Sequence, residues 1–149
     1  MPQTSQKLTP EIITLHRYFI WADRMKVHFD TVLKNLSSRP KDGNFLTKKE
    51  GIETFMYMSL WYGMLYVLIE GWFKLDLHDE KIDFLLQSEN VKLLKTYRHG
   101  VFHFHKEYYD QKFLKLMGDG QDIANWSRDL RDEFSRWFID IHRNESKNR

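Results

Sequence analysis

The sequence predicts an all-α bundle of four or five helices, on three observations. Apolar residues recur at helical spacings along most of the chain. Helix start and stop signals divide it into segments of helical length. No alternating stretch bounded by turns reads as a strand, and valine and threonine are sparse.

Taken in order, Thr9, Pro10 and Glu11 make a helix start: a capping hydroxyl, a proline at the first helical position, then an acid facing the dipole. Leu15, Ala22, Phe29 and Leu36 recur every seven residues, with Phe19 and Leu33 beside them. Residues 37–44, with serines, Pro40 and Gly43, end this first helix in a loop. Thr47 and Glu50 form a capping box that opens a second helix. Between positions 55 and 73 that helix is apolar nearly all round, which places it inside the bundle or inside an oligomer interface. A short third helix is expected near residues 80–87, after a turn at Leu77, His78 and Asp79. A fourth is expected over about residues 89–109. Gly118, Asp119 and Gly120 break the chain, and a final amphipathic helix sets Ile123, Trp126, Leu130, Phe134, Trp137 and Ile141 on one stripe.

The 149 residues suit one domain with a single core, a polar tail over about residues 1–8 and a frayed basic tail over about residues 143–149. Hydrophobic content of 42% with 30% charged residues is that of an ordinary soluble protein. A net charge of +2 neither demands nor excludes a nucleic-acid partner. The absence of cysteine excludes disulfides, thiolate metal sites and thiol nucleophiles, and fits the cytoplasm. Residues 1–7 lack the apolar core of a signal peptide. The apolar run over residues 54–69 falls short of the roughly 20 residues that span a bilayer, so a buried helix and no membrane partner are expected.

The chemistry-bearing stretch is Arg98, His99, Gly100, Val101, Phe102 and His103. On the fourth helix, Leu94, Tyr97, Val101, Phe104 and Tyr108 form an apolar sector, with Arg98 at its margin. His103 falls about 140° from Arg98 on a straight helix. The two therefore converge only if Gly100 lets the helix bend or end, or if a second copy of the chain completes the site. Together they suit RNA cleavage. RNA carries its own nucleophile, the 2′-hydroxyl; histidine can take its proton or protonate the leaving 5′-oxygen. Arginine can grip the phosphate and stabilise the charge that builds there. No metal or cofactor is required, and the products are a 2′,3′-cyclic phosphate and a 5′-hydroxyl. The plainer alternative is a structural Arg98 paired to a buried carboxylate, with His99 and His103 solvated.

The apolar aromatic helix running through Trp61, Tyr62, Tyr66, Glu70 and Trp72, followed by one carrying Tyr97, Arg98, His99 and His103, resembles the HEPN superfamily, especially its small stand-alone bacterial members. The family motif is an arginine, usually a polar residue, then a histidine after four to six intervening positions; Arg98, His99 and His103 occupy those places. The resemblance covers about residues 47–110. It implies an antiparallel bundle, a homodimer through the motif helices and metal-independent endoribonuclease activity with Arg98 and His103 catalytic and His99 orienting. It also implies a role as a toxin or phage-defence effector with an antitoxin or other regulator as partner. Other members have lost catalysis and bind a nucleotide or a partner protein. A toxin branch carries a modifiable tyrosine two positions after the histidine; this chain has His105 there, with Tyr108 and Tyr109 nearby.

Three further groupings bear on the site. Tyr62, Tyr66 and Glu70, spaced by four, line one helix face, and Glu70 needs a cation, for which Arg98 is the expected partner. Glu70 then either orients Arg98 toward phosphate or neutralises it. His99, His103 and Glu107 share a spacing that can hold zinc, disfavoured here by Arg98 and Lys106. Trp126, Phe134 and Trp137 can stack bases in principle, but their helical spacing marks them as core.

Overall fold

The computed structural model describes residues 6–37, 49–107, 115–116, 120 and 122–149, and among these it holds five helices and no strand. They are α1 (Pro10–Ser37), α2 (Lys49–Lys74), α3 (Glu80–Leu85), α4 (Asn90–Phe102) and α5 (Ile123–Lys147). The all-α class is therefore as the sequence predicts. Thr47, Gly118, Asp119 and the polar residues before position 6 lie outside the described residues.

Thr9 opens α1 as its sequence implies, its Oγ1 accepting the Ile12 N–H at 3.3 Å. α1 runs antiparallel to α2. His28 stacks on Tyr57 at 5.1 Å and Phe29 packs on Trp61 at 5.9 Å, while near the other end Leu15 lies against Gly71. A Cβ at Gly71 would stand 2.5 Å from the Leu15 Cδ1, so glycine lets the two helices close there. α5 is antiparallel to α1, through Arg131 Nε on Asp23 at 2.7 Å and His142 on His16 at 3.3 Å.

α2 is the central helix, which accounts for its lack of a polar face. Trp61, Leu65, Leu68, Ile69 and Trp72 are buried, with α1, α4 and α5 each against a different part of its surface. By length and composition alone, Gly51–Lys74 is apolar enough to cross a membrane. The short-run expectation for residues 54–69 is thus corrected, since the whole helix reaches the spanning length; its burial is a matter of packing, not of length. α2 ends in a Schellman arrangement: the Leu77 N–H reaches the Trp72 carbonyl at 3.2 Å and the Asp76 N–H the Phe73 carbonyl at 3.1 Å, with Asp76 left-handed at φ 50°.

α3 is clipped to α5. The Asp79 Oδ1 accepts the Lys81 and Ile82 N–H groups at 3.1 and 3.2 Å, capping α3, and also the Arg136 guanidinium at 2.6 Å. The Trp126 indole donates to the Leu85 carbonyl at 2.9 Å. The α5 stripe is buried from Trp126 to Ile141, so Trp126, Phe134 and Trp137 are core rather than a base-stacking platform. α5 is helical through Lys147, past position 143 where the basic tail was expected to begin. Leu33, expected beside the core, is exposed.

His16 carries a pH dependence. Its ring lies 4.7 Å from Phe138 and 5.0 Å from His142, and burial first, then the neighbouring His142, holds it below the ordinary histidine value of 6.5. With a depressed folded-state pKa, the unfolded chain takes up the proton first. The stabilisation is therefore intact above about pH 6.5 and is lost as pH falls through the folded-state value. His78 acts with the opposite sign: Asp83 and Asp76 raise it, so its contribution is present below pH 6.5 and fades as pH rises. Thermal midpoints recorded downward from neutral pH should therefore fall less in a His16→Asn variant than in the wild type.

Candidate functional site

α2 and α4 build the candidate site between them. Four-residue spacing on α2 sets Tyr66 and Glu70 one turn apart, and α4 packs across them through Tyr97 and Arg98. Tyr97 anchors this contact. It is fully buried, and its hydroxyl is 2.8 Å from that of Ser59 on α2. Burial raises the Tyr97 phenol strongly, and the Ser59 hydrogen bond offsets only part of that, so the group stays neutral. Tyr97→Phe should cost about 0.5–1.5 kcal/mol in urea unfolding, and less on a Ser59→Ala background, where that hydrogen bond is already gone.

The Arg98 guanidinium lies over the Tyr66 ring, 5.0 Å from its centroid, and its Nη1 is 3.8 Å from the Glu70 Oε2. The expected Glu70–Arg98 pairing is thus present in the structure. It is a loose one, longer than a hydrogen bond, between side chains 26% and 31% exposed. Glu70 is also shared: Lys74, one turn further along α2, stands 3.6 Å from its other oxygen. Lys74 is the site residue the sequence reading missed, although its spacing of four from Glu70 was available to find it. The Arg98 Nε is buried with no hydrogen-bond partner among the described residues. The protein therefore leaves this guanidinium's hydrogen bonding incomplete, which is costly for a desolvated donor. Tyr66 beneath it is pushed above the ordinary phenol value by burial and by Glu70, with Arg98 pulling the other way; it too is a neutral hydroxyl.

Tyr62 does not join this cluster. Its ring stacks on Trp61 at 4.5 Å and meets Tyr97 edge-on at 6.1 Å, and its hydroxyl sits beside Ser127 and Arg128 of α5. Although Tyr62 shares a helix stripe with Tyr66, the third long helix takes it for the core.

The principal correction concerns the fourth helix. It ends at Phe102, not near position 109, and His103 is extended at φ −116°, ψ 136°. Gly100 is still helical and buried, so the helix does not stop at the glycine; it stops two residues later. There the edge of the Phe102 ring comes within 2.9 Å of where a Cβ would stand on Gly63 of α2, a close approach that only glycine leaves open. Consequences follow for three residues. The 140° separation of Arg98 and His103 on a straight helix no longer holds, and the His103 ring folds back to stack on His99 at 5.0 Å and 20°. In addition, Phe104 leaves the apolar sector assigned to it and becomes exposed. Glu107 loses its helical register with the two histidines, and among the described residues no three potential ligand side chains converge on a metal position. Tyr108 and Tyr109 lie outside the described residues.

The site thus consists of Tyr66, Glu70, Lys74 and Arg98 on one side and the His99–His103 stack at the exposed end of α4 on the other. Chemically it offers a guanidinium with one unsatisfied donor and a pair of exposed imidazoles. A groove of about 520 Å³ between α3 and α5 is lined instead by Glu80, Asp129, Asp132 and Glu133 with Lys81 and Phe84, a surface that repels phosphate. Compared with models of known protein families, with curated proteins and with solved structures, the chain finds no match.

Proposed function

We propose that the protein is a metal-independent endoribonuclease of HEPN type, working in the cytoplasm as a homodimer joined through the α4 helices. In this reading Arg98 holds the scissile phosphate and His103 moves the proton. The 2′-oxygen forms a bond to phosphorus as its proton leaves to a base, the P–O5′ bond breaks, and the 5′-oxygen receives a proton. The products are a 2′,3′-cyclic phosphate and a 5′-hydroxyl. A second copy brings a second Arg98 and His103, so that one histidine can serve as base and the other as acid. Such an activity suits a toxin or phage-defence effector held in check by an antitoxin or other regulator.

The observation that carries this reading is Arg98: half-buried, with an unsatisfied Nε and a loose carboxylate partner already shared with Lys74. A permanently neutralised structural arginine has short bidentate bonds to its carboxylate, and Arg98 has none among the described residues. Glu70 and Tyr66 then aim the guanidinium, and Lys74 takes up the Glu70 charge when phosphate binds. One observation favours the partner-protein form of a second reading, a non-catalytic module binding a nucleotide or partner protein: the Glu70 carboxylate stands 3.8 Å from the Arg98 guanidinium, beside the position a phosphate would occupy, and repels it.

Incubating purified protein with mixed cellular RNA in EDTA separates the two. Arg98→Ala should lower cleavage on the order of 10²–10³-fold, as for loss of a transition-state donor, and Arg98→Lys should recover only part of it, because a point charge replaces a fork of donors. Cleavage unaffected by Arg98→Ala contradicts the catalytic reading. Nucleotide binding without any cleavage favours the second.

A further inference from the structure

Where α4 ends, the extended backbone at His103 throws the next side chain outward, and Phe104 is 92% exposed, the most exposed large apolar side chain among the described residues. Holding a phenylalanine ring in water forgoes the stabilisation that burial gives, and here it happens next to the histidine assigned to catalysis. Its surroundings are cationic. Residues 95–107 carry Lys95, Arg98 and Lys106 and three histidines against the single carboxylate of Glu107. Lys95, His99, His103 and Lys106 are all exposed. Exposed aromatic rings interleaved with cations are what an unpaired nucleic-acid strand needs: charge for its backbone and a flat face for a base. A protein partner would instead call for a continuous apolar patch, and the residues flanking Phe104 along the chain are imidazoles and charges, with only Phe102 adding a half-exposed ring that is already laid on Gly63.

We propose that Phe104 is the base-holding residue of this site. It stacks the nucleobase next to the scissile phosphate while Arg98 holds the phosphate itself. The inference rests on the ribonuclease reading above and adds a determinant to it. The Phe104 Cα lies one peptide, about 3.8 Å, from that of His103, a spacing that neighbouring positions of one strand can bridge. A base stacked on Phe104 cannot also be stacked and paired in a duplex, so the strand must be unpaired at the cut. Because every base offers a π face, the contact fixes position on the strand rather than sequence.

The test uses the full chain as wild type, Phe104→Ala and Phe104→Trp, and a fluorescein-labelled single-stranded 2′-O-methyl RNA, which lacks the nucleophile and stays uncut. Anisotropy titrations should show binding weakened about tenfold by alanine and restored by tryptophan, within the range for loss of one stacked base. With cleavable RNA the loss should fall on KM more than on kcat. A Phe104→Ala variant that binds as tightly as wild type, while His103→Ala abolishes cleavage, overturns this inference and leaves the ribonuclease reading standing. A Phe104→Ala variant with unchanged RNA binding but an altered oligomeric state in size-exclusion chromatography also overturns it, making Phe104 a protein contact. If the wild type neither binds nor cuts RNA, the reading beneath falls and takes this inference with it. Exposure of the ring makes misfolding of the variants a negligible concern, and their unfolding midpoints check it.

Discussion

His103→Ala is expected to lower RNA cleavage by about 10²–10⁴-fold, the range for loss of a general acid–base group. His103 lies one residue beyond the last residue of α4, exposed, with its ring on His99, so its removal takes little from the fold. The loss should therefore appear in kcat, with RNA binding kept, since Arg98 and the cations of residues 95–107 remain. Imidazole added to the His103→Ala protein should restore part of the rate, because the vacated position is open to solvent. His99→Ala should cost less, as it removes the surface on which His103 rests and not the group proposed to move the proton. Equal losses in the two variants would assign the proton transfer to the pair rather than to His103.

Trp72→Ala is expected to destabilise the fold by about 3–5 kcal/mol in urea unfolding, the range for aromatic-to-alanine changes in a core. Trp72 is fully buried near the C-terminal end of α2, edge-on to Phe134 at 5.4 Å and to Trp137 at 4.9 Å, both on α5. Its indole N–H donates to the Asp83 carboxylate of α3 at 3.1 Å, so a single side chain joins three helices. Trp72→Phe keeps most of the packing and loses the hydrogen bond, and its cost should be well under that of alanine. A Trp72→Ala cost below about 1 kcal/mol would mean that α5 is not packed on α2 as described.

How far the sequence foretold this arrangement depends on whether local chemistry or distant contact decides the matter. The α5 stripe and the Thr9 cap were legible because helical spacing and capping hydroxyls act within a few residues. The Glu70–Arg98 pair was legible for a different reason: an acid ending a long uncharged run needs a cation, and few were on offer. The end of α4 was not legible. Phenylalanine and histidine are middling helix formers, and no proline or capping residue marks the stop. The contact of Phe102 with Gly63, nearly forty positions earlier, accompanies it, and with it went the expected places of Phe104 and Glu107. Tyr62 was misplaced for a similar reason, since a stripe on α2 says which residues share a face but not which neighbour that face meets. The His16–His142 contact joins residues 126 positions apart, and nothing local to either announces it.

The chemistry of the RNA fragment ends tests the central claim most directly. Fragments made by the wild-type protein in EDTA should carry 2′,3′-cyclic phosphates and 5′-hydroxyls, and should be absent with His103→Ala. Fragments ending in 3′-hydroxyls and 5′-phosphates would mean that water, not the 2′-hydroxyl, attacks phosphorus, and would contradict the roles assigned to Arg98 and His103.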